Sequence, residues 1–411
     1  MNYSSRVYAD FAAAAPMWPR VQHAWQGACK NFGNPSSLHQ FGRESKELLN
    51  LARQKIARLL ECHPHELIFT SGATESTNLA LLGIIRAQLR KPHVITLAIE
   101  HPAVLAPLQH EAKAKRITLT ILPVTTHGQV KLATLKSALK PTTRLVSIMA
   151  ANNEIGTLQP IRQVAGVLKT YQKQTGQKIW LHTDASQFAA WHQFTVDQLG
   201  IDLLTLSGPK IGAGSGIGLL YHKHETPLEP LFYGGGQQTG LRSGTENVMG
   251  AIRIQIALQE TWQRLPKIKK KIRIYRDKIA DELVNFFPNS IRNDQPEGLP
   301  NLLSLTFPSL DAEQIVYLLD QAGIAVSTGS ACSQTDPKHA GMNLRTIGRE
   351  YDDIYSTIRI SLGWTTTQRD TQKIIHAFKI ALQVSQAQSG LTRRVTRTGK
   401  IIARNYAFSA Q

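Results

Sequence analysis

The strongest constraint on the fold is the alternation of short apolar segments with amphipathic helical segments through about the first 260 residues. Residues 43–61 carry apolar positions at helical spacing, and residues 66–70 (ELIFT) read as a short strand that leads into a glycine turn and a second helix. Strands that alternate with helices need crossover connections. The pattern therefore predicts an α/β fold, with a mainly parallel sheet that carries helices on both faces.

After this region the order of elements changes to strand, helix, strand, loop, strand and closing helix, which is typical of a smaller α+β unit. We expect residues 14–262 to form the large domain. Residues 1–13 and 263–386 are expected to form the small domain, and residues 387–411 a basic tail. The boundary at residue 262 rests on a run of basic residues that begins at Arg264 and on Pro266.

The three cysteines, Cys29, Cys62 and Cys332, lie far apart, and no Cys or His spacing joins them into a disulfide framework or a zinc site. The first residues lack the pattern of a signal peptide, and no apolar run reaches the roughly 18 residues of a membrane span. These features predict a soluble protein of a reducing compartment, the cytoplasm, with no bound metal.

The formal net charge of +18 favours an acidic partner. Most basic residues are scattered, but two segments concentrate them, residues 264–278 and residues 391–404. The first segment has the apolar periodicity of a helix with a solvated basic face. The second is either a disordered solubilising tail or a contact for nucleic acid or an acidic protein, and no nucleic-acid motif accompanies it.

Polar residues follow three predicted strands, where open α/β sheets collect their ligands. Gly72, Ala73 and Thr74 open a helix after one strand, and a helix N-terminus of this kind suits a phosphate. Asp184 ends the next such strand, and Lys210 follows another. Each feature alone is equally typical of a helix cap or a solvated loop. Together they supply a phosphate site, a carboxylate and an amine, which are the groups that hold pyridoxal 5'-phosphate (PLP).

The sequence resembles the PLP-dependent cysteine desulfurases of the NifS/IscS type, within the class V aminotransferase group of fold type I. The resemblance covers about residues 7–385, and its blocks occur in the family's order. These blocks are YADFAAAAP, FGNPSSLHQFGR, FTSGATESTNLA, EHPAVL, IMAANNEIGTLQPI, HTDASQ, LSGPK, GGGQQTGLRSGTENV, STGSACSQ and TIRISLG.

The resemblance implies a role for each matching residue. Lys210 would attach PLP as a Schiff base, Asp184 would pair with the pyridine nitrogen, Gln187 would bind the phenolic oxygen, and His101 would stack on the ring and transfer protons. Ala73, Thr74 and Ser207 would bind the phosphate, and Thr245 would reach the phosphate of the other subunit of a homodimer. Asn153 and Arg359 would bind the carboxylate of the amino-acid substrate.

Cys332 lies in a loop of Gly, Ser and Thr, and a cysteine among such residues is presented rather than packed. In the family this cysteine attacks the sulfur of L-cysteine, becomes a persulfide and releases L-alanine. The sulfur would then pass to an acceptor protein for iron–sulfur clusters, thiocofactors or tRNA thiolation. The long segment between Cys332 and Arg359 resembles the subgroup with a mobile catalytic loop. Cys29 and Cys62 match no family motif and are interpreted as structural.

Two departures from the family leave alternatives open. Pro209 replaces the histidine that normally precedes the Schiff-base lysine, which predicts weaker PLP retention because proline lacks both side-chain and backbone donors. The basic tail differs from the segment that docks the iron–sulfur scaffold in the family. The alternatives are a selenocysteine lyase, another class V PLP enzyme, or a catalytically weak paralogue that acts as a binding protein.

Overall fold

The computed structural model describes residues 6–329 and 341–397. Within these residues the strands are β1 (Val7–Tyr8), β2 (Leu67–Thr70), β3 (His93–Leu97), β4 (Thr118–Leu122), β5 (Thr143–Ser147), β6 (Trp180–Asp184), β7 (Leu203–Ser207), β8 (Gly218–His222), β9 (Ile291–Arg292), β10 (Leu302–Thr306), β11 (Ile324–Ala325), β12 (Ser327–Thr328) and β13 (Thr357–Ser361). The helices are α1 (Pro19–Ala28), α2 (Gln40–Leu60), α3 (Ala73–Arg86), α4 (Pro102–Lys113), α5 (Leu132–Ala138), α6 (Ile161–Thr175), α7 (Val196–Leu199), α8 (Val248–Phe286), α9 (Ala312–Gln321), α10 (Met342–Thr346), α11 (Tyr351–Tyr355) and α12 (Gln368–Arg397).

The central sheet has seven strands in the order β2-β8-β7-β6-β5-β3-β4. Strand β8 runs antiparallel to both of its neighbours, and the pairs among β7, β6, β5, β3 and β4 are parallel. The prediction of an α/β fold with a mainly parallel sheet is therefore confirmed.

The strands of this sheet are apolar on both faces because helices cover both sides. Successive residues of a strand point to opposite faces, so Val94 and Ile95 on β3 enter two different apolar cores, as do Leu203 and Leu204 on β7. One face packs against α3 and α4, and the other against α2, α6 and the first part of α8. The sheet is thus buried on both faces and its loops are exposed at its two ends.

A second, smaller unit has its own apolar core. Its sheet, β12-β13-β10-β9, is antiparallel, and α9, α12 and the last part of α8 contribute to the core. Strand β1 pairs with β11 in parallel, so the first described residues belong to this unit. Helix α8 continues through Pro266 and contributes to both cores.

No helix in the described part of the chain is long and apolar enough to cross a membrane.

Candidate active site

A cavity of about 910 Å³ opens at the carboxyl ends of the central strands, where the polar loops were predicted to meet. Its lining includes all eight of the candidate residues that precede Thr245 in the chain. They are Ala73, Thr74, His101, Asn153, Asp184, Gln187, Ser207 and Lys210. Residues separated by more than a hundred positions in the sequence thus surround one space.

The N-terminus of α3, which the sequence predicted to bind a phosphate, forms one end of this cavity. Gly72 precedes the helix, and Ala73 and Thr74 form its first turn, where backbone N–H groups have no partner within the helix. Gly218 begins β8 directly opposite, and a Cβ atom at this position would lie 2.4 Å from the carbonyl carbon of Gly72. The turn can approach β8 only because residue 218 has no side chain. Ser207 ends β7 and lines the same cavity.

Asp184 is the last residue of β6, and its side chain is buried in the cavity wall. One carboxylate oxygen, Oδ1, accepts a hydrogen bond of 2.9 Å from the backbone N–H of Ser186. Gln187 is also buried and donates from Nε2 to the carbonyl oxygen of Ala12 at 2.7 Å. Ser186 also lines the cavity, and its buried hydroxyl has no hydrogen-bond partner among the described residues, which leaves a polar atom available to a ligand.

Lys210 lies in a short 3₁₀ turn, Gly208–Ile211, directly after β7. Its Nζ atom donates a hydrogen bond to the carbonyl oxygen of Ala13, and the backbone N–H of Ala15 donates to the carbonyl oxygen of Pro209 at 2.9 Å. The segment after β1 therefore closes the cavity on the lysine side. Pro209 lines the cavity without a side-chain donor, as the sequence indicated.

His101 caps the N-terminus of α4, and its Nδ1 atom accepts a hydrogen bond of 3.1 Å from the backbone N–H of Ala103. In the neutral ring the proton is therefore on Nε2. Burial lowers the pKa of His101, the charge of Asp184 acts in the opposite direction, and the charge of Lys210 lowers it further. His101 thus offers the cavity a neutral imidazole.

Arg359 lies on β13 of the small unit and is buried at 2% exposure. Its Nη1 atom donates to the carbonyl oxygen of Asn153 at 3.1 Å, and its Nη2 atom pairs with Asp10 at 2.8 Å. The Nε atom of Arg359 is buried and has no hydrogen-bond partner in the part of the chain that the structure describes. The structure therefore places the two predicted carboxylate-binding residues, Asn153 and Arg359, side by side.

Three acidic residues near the site were missed by the sequence reasoning, although all lie within quoted family blocks. Asp10 orients Arg359, as described above. Glu100 is buried beneath the cavity, and burial raises its pKa well above the usual range. The hydrogen bond from the backbone N–H of Met149 opposes this rise in pKa, and the charge of Asp184 adds to it. Glu154 follows Asn153, and burial raises its pKa to about 7 against the opposing charge of Arg359.

Thr245 is exposed and does not line the cavity of its own chain. Cys332 lies outside the described residues. Of the other two cysteines, Cys29 is exposed. Burial raises the pKa of Cys62 to about 12, with nearby acidic charges adding to the shift, so its thiol stays protonated near neutral pH.

The residues present fit PLP. The N-terminus of α3 and Ser207 suit its phosphate, the buried Asp184 suits a protonated pyridine nitrogen, and Lys210 provides the amine. The unpartnered Ser186 hydroxyl adds a polar contact inside the same cavity. Within residues 6–329 and 341–397, no cluster of three or more His, Cys, Asp or Glu side chains is arranged to hold a metal ion.

The comparisons with known proteins agree on one family. The model of the aminotransferase class-V family matches residues 7–374. A curated protein of Dictyoglomus turgidum named cysteine desulfurase IscS is 38% identical over 372 residues, which cover 89% of this chain and 91% of that protein. The cysteine desulfurase of Rattus norvegicus is 34% identical, over 92% of this chain and 84% of that protein.

The solved structures give the same result. A structure titled NifS-like protein superposes with a TM-score of 0.85 and 32% sequence identity, and the match covers 92% of this chain and 100% of that chain. The fold and the sequence blocks therefore match together along nearly the whole length of the chain.

Proposed function

The chain belongs to the aminotransferase class-V family and is a PLP-dependent cysteine desulfurase, and on this premise we propose which of its residues carry the reaction. The observation that supports the proposal is the convergence of eight candidate side chains on one cavity at the carboxyl ends of the strands. When bound, PLP supplies an electron sink that withdraws electron density from the substrate Cα.

Six residues hold the cofactor in this proposal. Lys210 attaches it through Nζ, and Asp184 keeps the pyridine nitrogen protonated because a buried carboxylate favours a proton on a neighbouring base. Gln187 contacts the phenolic oxygen, and Thr74, with the backbone N–H groups around Ala73, binds the phosphate with help from Ser207. The contact between Ala12 and Gln187 fixes the amide, so its position does not depend on the ligand.

Arg359 and Asn153 bind the carboxylate of the substrate in this proposal. The guanidinium is held on one side by Asp10, so the edge that includes the unpartnered Nε atom remains for the substrate. His101 lies on the cavity wall with its proton on Nε2 and moves protons at the substrate carbon atoms.

Cys332 is the proposed sulfur acceptor within the enzyme. Its thiolate forms a bond to the substrate sulfur while the bond between that sulfur and the substrate Cβ breaks, and Cβ then gains a proton, so that alanine leaves. The persulfide on Cys332 is passed to an acceptor protein. We propose iron–sulfur clusters, thiocofactors or thiolated tRNA as the destination, and the cytoplasm as the location.

We also propose a homodimer in which Thr245 contacts the phosphate in the partner's cavity. Thr245 is exposed, and so are the large side chains Phe32, Phe232 and Tyr233, at 78%, 52% and 77%. Exposed aromatic side chains of this size are typical of an interface between subunits. Analytical ultracentrifugation tests this assembly.

The basic segment 391–404 is proposed as a contact for an acidic partner or nucleic acid.

The function is tested by measuring sulfide and alanine released from L-cysteine by the purified holoenzyme in the presence of a thiol reductant, which reduces the Cys332 persulfide to the thiol and sulfide. We expect equal amounts of both products, and their loss in Lys210→Ala and in Cys332→Ala. Cys29→Ser is the matched control and should keep full activity, because Cys29 lies outside the cavity. A Cys332→Ala enzyme that still releases sulfide at the wild-type rate contradicts the role of Cys332. A colourless protein without product contradicts the whole assignment.

A further inference from the structure

A basic groove lies at the end of the central sheet opposite the catalytic cavity. It has a volume of about 1400 Å³ and runs past the points where β3, β5 and β6 begin. Its charged lining residues are Arg90, Lys91, Arg144 and Lys178, and no acidic residue lines it. These cations are scattered in the sequence, and the fold gathers them because parallel strands begin at the same edge of the sheet.

A second groove, of about 1020 Å³, adjoins the first and shares Lys178 with it. It adds the cationic residues Arg162, Lys169 and Lys223 and the acids Asp197 and Asp202. Asp202 is 9% exposed, and its Oδ2 atom accepts a hydrogen bond from the backbone N–H of Leu181. One of the two acids is thus largely engaged inside the protein, and the cationic surface continues across both grooves.

Helix dipoles do not account for the four cations of the first groove. Cations in the last turn of a helix balance its negative end, and Arg86, Lys136 and Lys173 occupy such positions on α3, α5 and α6. Arg90, Lys91, Arg144 and Lys178 lie outside any helix, in the loops before β3 and β6 or on β5 itself. Their gathering therefore needs another explanation.

Two of the four cations are held in place by neighbouring groups. The Nη1 atom of Arg144 donates to the carbonyl oxygens of Pro141 and Thr143, at 3.0 and 2.9 Å. The amine of Lys178 lies 4.4 Å from the centre of the Trp180 ring and 3.8 Å from Asp202. Holding these charges before binding reduces the entropy lost when an anion binds. Arg90 and Lys91 are exposed at the rim.

The surroundings favour nucleic acid over an acidic protein. Stable protein interfaces bury a cluster of aromatic or aliphatic anchors. Among the large apolar side chains of the described residues that are exposed, only Leu89 lines this groove, and Trp180 is 9% exposed beneath Lys178. Nucleic-acid interfaces are instead polar and strongly positive. We propose that the groove of Arg90, Lys91, Arg144 and Lys178 binds the phosphate backbone of nucleic acid, independently of base sequence.

The test measures binding of the full-length holoenzyme to fluorescent single-stranded RNA and to DNA of the same mixed sequence, by anisotropy over a series of salt concentrations. The informative variant is Arg90→Glu with Lys91→Glu. The matched control is Lys267→Glu with Lys270→Glu on the exposed face of α8, outside both grooves. Each exchange changes the charge by −2, so both double variants have a formal charge of 18 − 4 = +14.

We expect the groove variant to bind at least about tenfold more weakly and the α8 variant to stay within about twofold of wild type. Because each phosphate contact on a single strand contributes about −0.7 to the slope of log K against log salt, the slope should weaken by about 1.4 in the groove variant only. Sulfide release should be unchanged in both variants, which also shows that they fold. RNA and DNA should bind alike, since backbone contacts do not read bases.

Three results would overturn the proposal. Equal weakening in both double variants would mean that only net charge matters. Wild-type binding by the groove variant would place the site elsewhere, for example at residues 391–404. Binding to a polyglutamate peptide but to neither nucleic acid would assign the groove to an acidic protein. None of these results bears on sulfide release, so the proposed function is tested separately.

Discussion

Arg359 is the residue on which the two units of the protein converge. It comes from β13 of the small unit, contacts Asn153 of the large unit, and pairs with Asp10, which is 349 positions away in the chain. Glu154 lies close enough for the Arg359 charge to act on its pKa. The guanidinium therefore lies among carboxylates. A substrate carboxylate bound there, as proposed above, would bind in their presence, and its affinity would then depend on the ionisation of Glu154.

Replacing Glu154 with Gln should alter the pH dependence of the KM for L-cysteine. Burial raises the pKa of Glu154 to about 7, so raising the pH from about 6 to about 8 adds a negative charge near Arg359 and opposes the substrate carboxylate. The added charge should weaken substrate binding by about 1 kcal/mol, so the wild-type KM should rise about fivefold across this range. Steady-state kinetics at several pH values should show this rise missing in Glu154→Gln.

Glu313→Gln is the control for this experiment because Glu313 is exposed on α9. Glu313→Gln should keep the wild-type dependence of KM on pH, which includes the contribution from ionisation of the substrate L-cysteine. If Glu154→Gln and wild type have the same profile, Glu154 does not influence the carboxylate site.

Replacing Pro209 with His should strengthen retention of PLP. Pro209 lines the cavity between Ser207 and Lys210 and supplies no donor. A histidine there adds a hydrogen bond to a charged phosphate, which is worth about 1.5–3 kcal/mol, so the cofactor should dissociate at least about tenfold more slowly. The measurement is the visible absorbance that remains during dialysis. Pro209→Ala restores only the backbone N–H, so its rate of PLP loss should lie between those of wild type and Pro209→His. Equal rates of PLP loss from all three proteins would contradict the role given to residue 209.

At the scale of elements, α8 is the link between the two cores. Its first part packs residues such as Ile254 and Leu258 into the core of the large unit, and its last part packs Ile272 and Ile279 into the core of the small unit. We propose that the two domains divide within this helix, near residue 262, with residues 1–13 joining the second domain through β1. The helix continues through Pro266, which was one of the two sequence signals for this boundary.

Gly218→Ala should damage the phosphate end of the cavity. The new Cβ atom would lie 2.4 Å from the carbonyl carbon of Gly72, so the turn before α3 has to move. Overpacking of this kind costs about 1–3 kcal/mol, and the displaced N–H groups should also weaken PLP binding. Thermal unfolding and PLP titration measure the two effects.

Gly166→Ala is the matched control, because a Cβ atom at Gly166 meets nothing within 4 Å and the residue lies inside α6. Alanine favours a helix, so this variant should be unchanged or more stable by up to about 1 kcal/mol. A Gly218→Ala protein with wild-type stability and PLP affinity would show that the turn adapts without cost.

Local signals in the sequence, namely strand periodicity and the turns at strand ends, predicted the central sheet and, in the cavity, the turn at residues 72–74, Asp184 and Lys210. The resemblance to the family, not a local pattern, supplied other cavity residues such as His101 and Asn153. The pair of Asp10 and Arg359 and the raised pKa of Glu154 were not predicted. Both depend on how the small unit packs on the large one, which no local pattern encodes. The groove around Lys178 was missed for the same reason, since its cations are gathered only by the strand order of the sheet.

At the scale of the whole molecule, the charges are distributed unevenly, and this has a consequence for acid stability. The buried His93 and His182 and the half-buried His192 are held neutral near pH 7 in a chain that already carries a net charge of +18. Burial lowers the pKa of His93 to about 4, of His182 to about 4 and of His192 to about 3. In the unfolded chain these residues have an ordinary pKa of about 6.5.

Acidification should therefore remove the stability that these three histidines contribute. Glu100 and Glu154 oppose this loss, because burial raises their pKa and they take up protons more readily in the native protein than in the unfolded chain. Between about pH 6.5 and pH 4 the unfolded chain binds up to three more protons at these histidines than the native protein, so stability is lost as the pH falls through this window. Each proton contributes about 1.4 kcal/mol per pH unit to the slope. Urea midpoints measured at constant ionic strength between about pH 7 and pH 5 for wild type and for His93→Gln should isolate the contribution of His93, whose ring nitrogens form hydrogen bonds with the hydroxyls of Thr143 and Thr120. The slopes of stability against pH should differ by one proton between the two proteins. His23→Gln should keep the wild-type slope, because His23 is exposed. Equal slopes for His93→Gln and wild type would mean that His93 becomes protonated as readily in the native protein as in the unfolded chain.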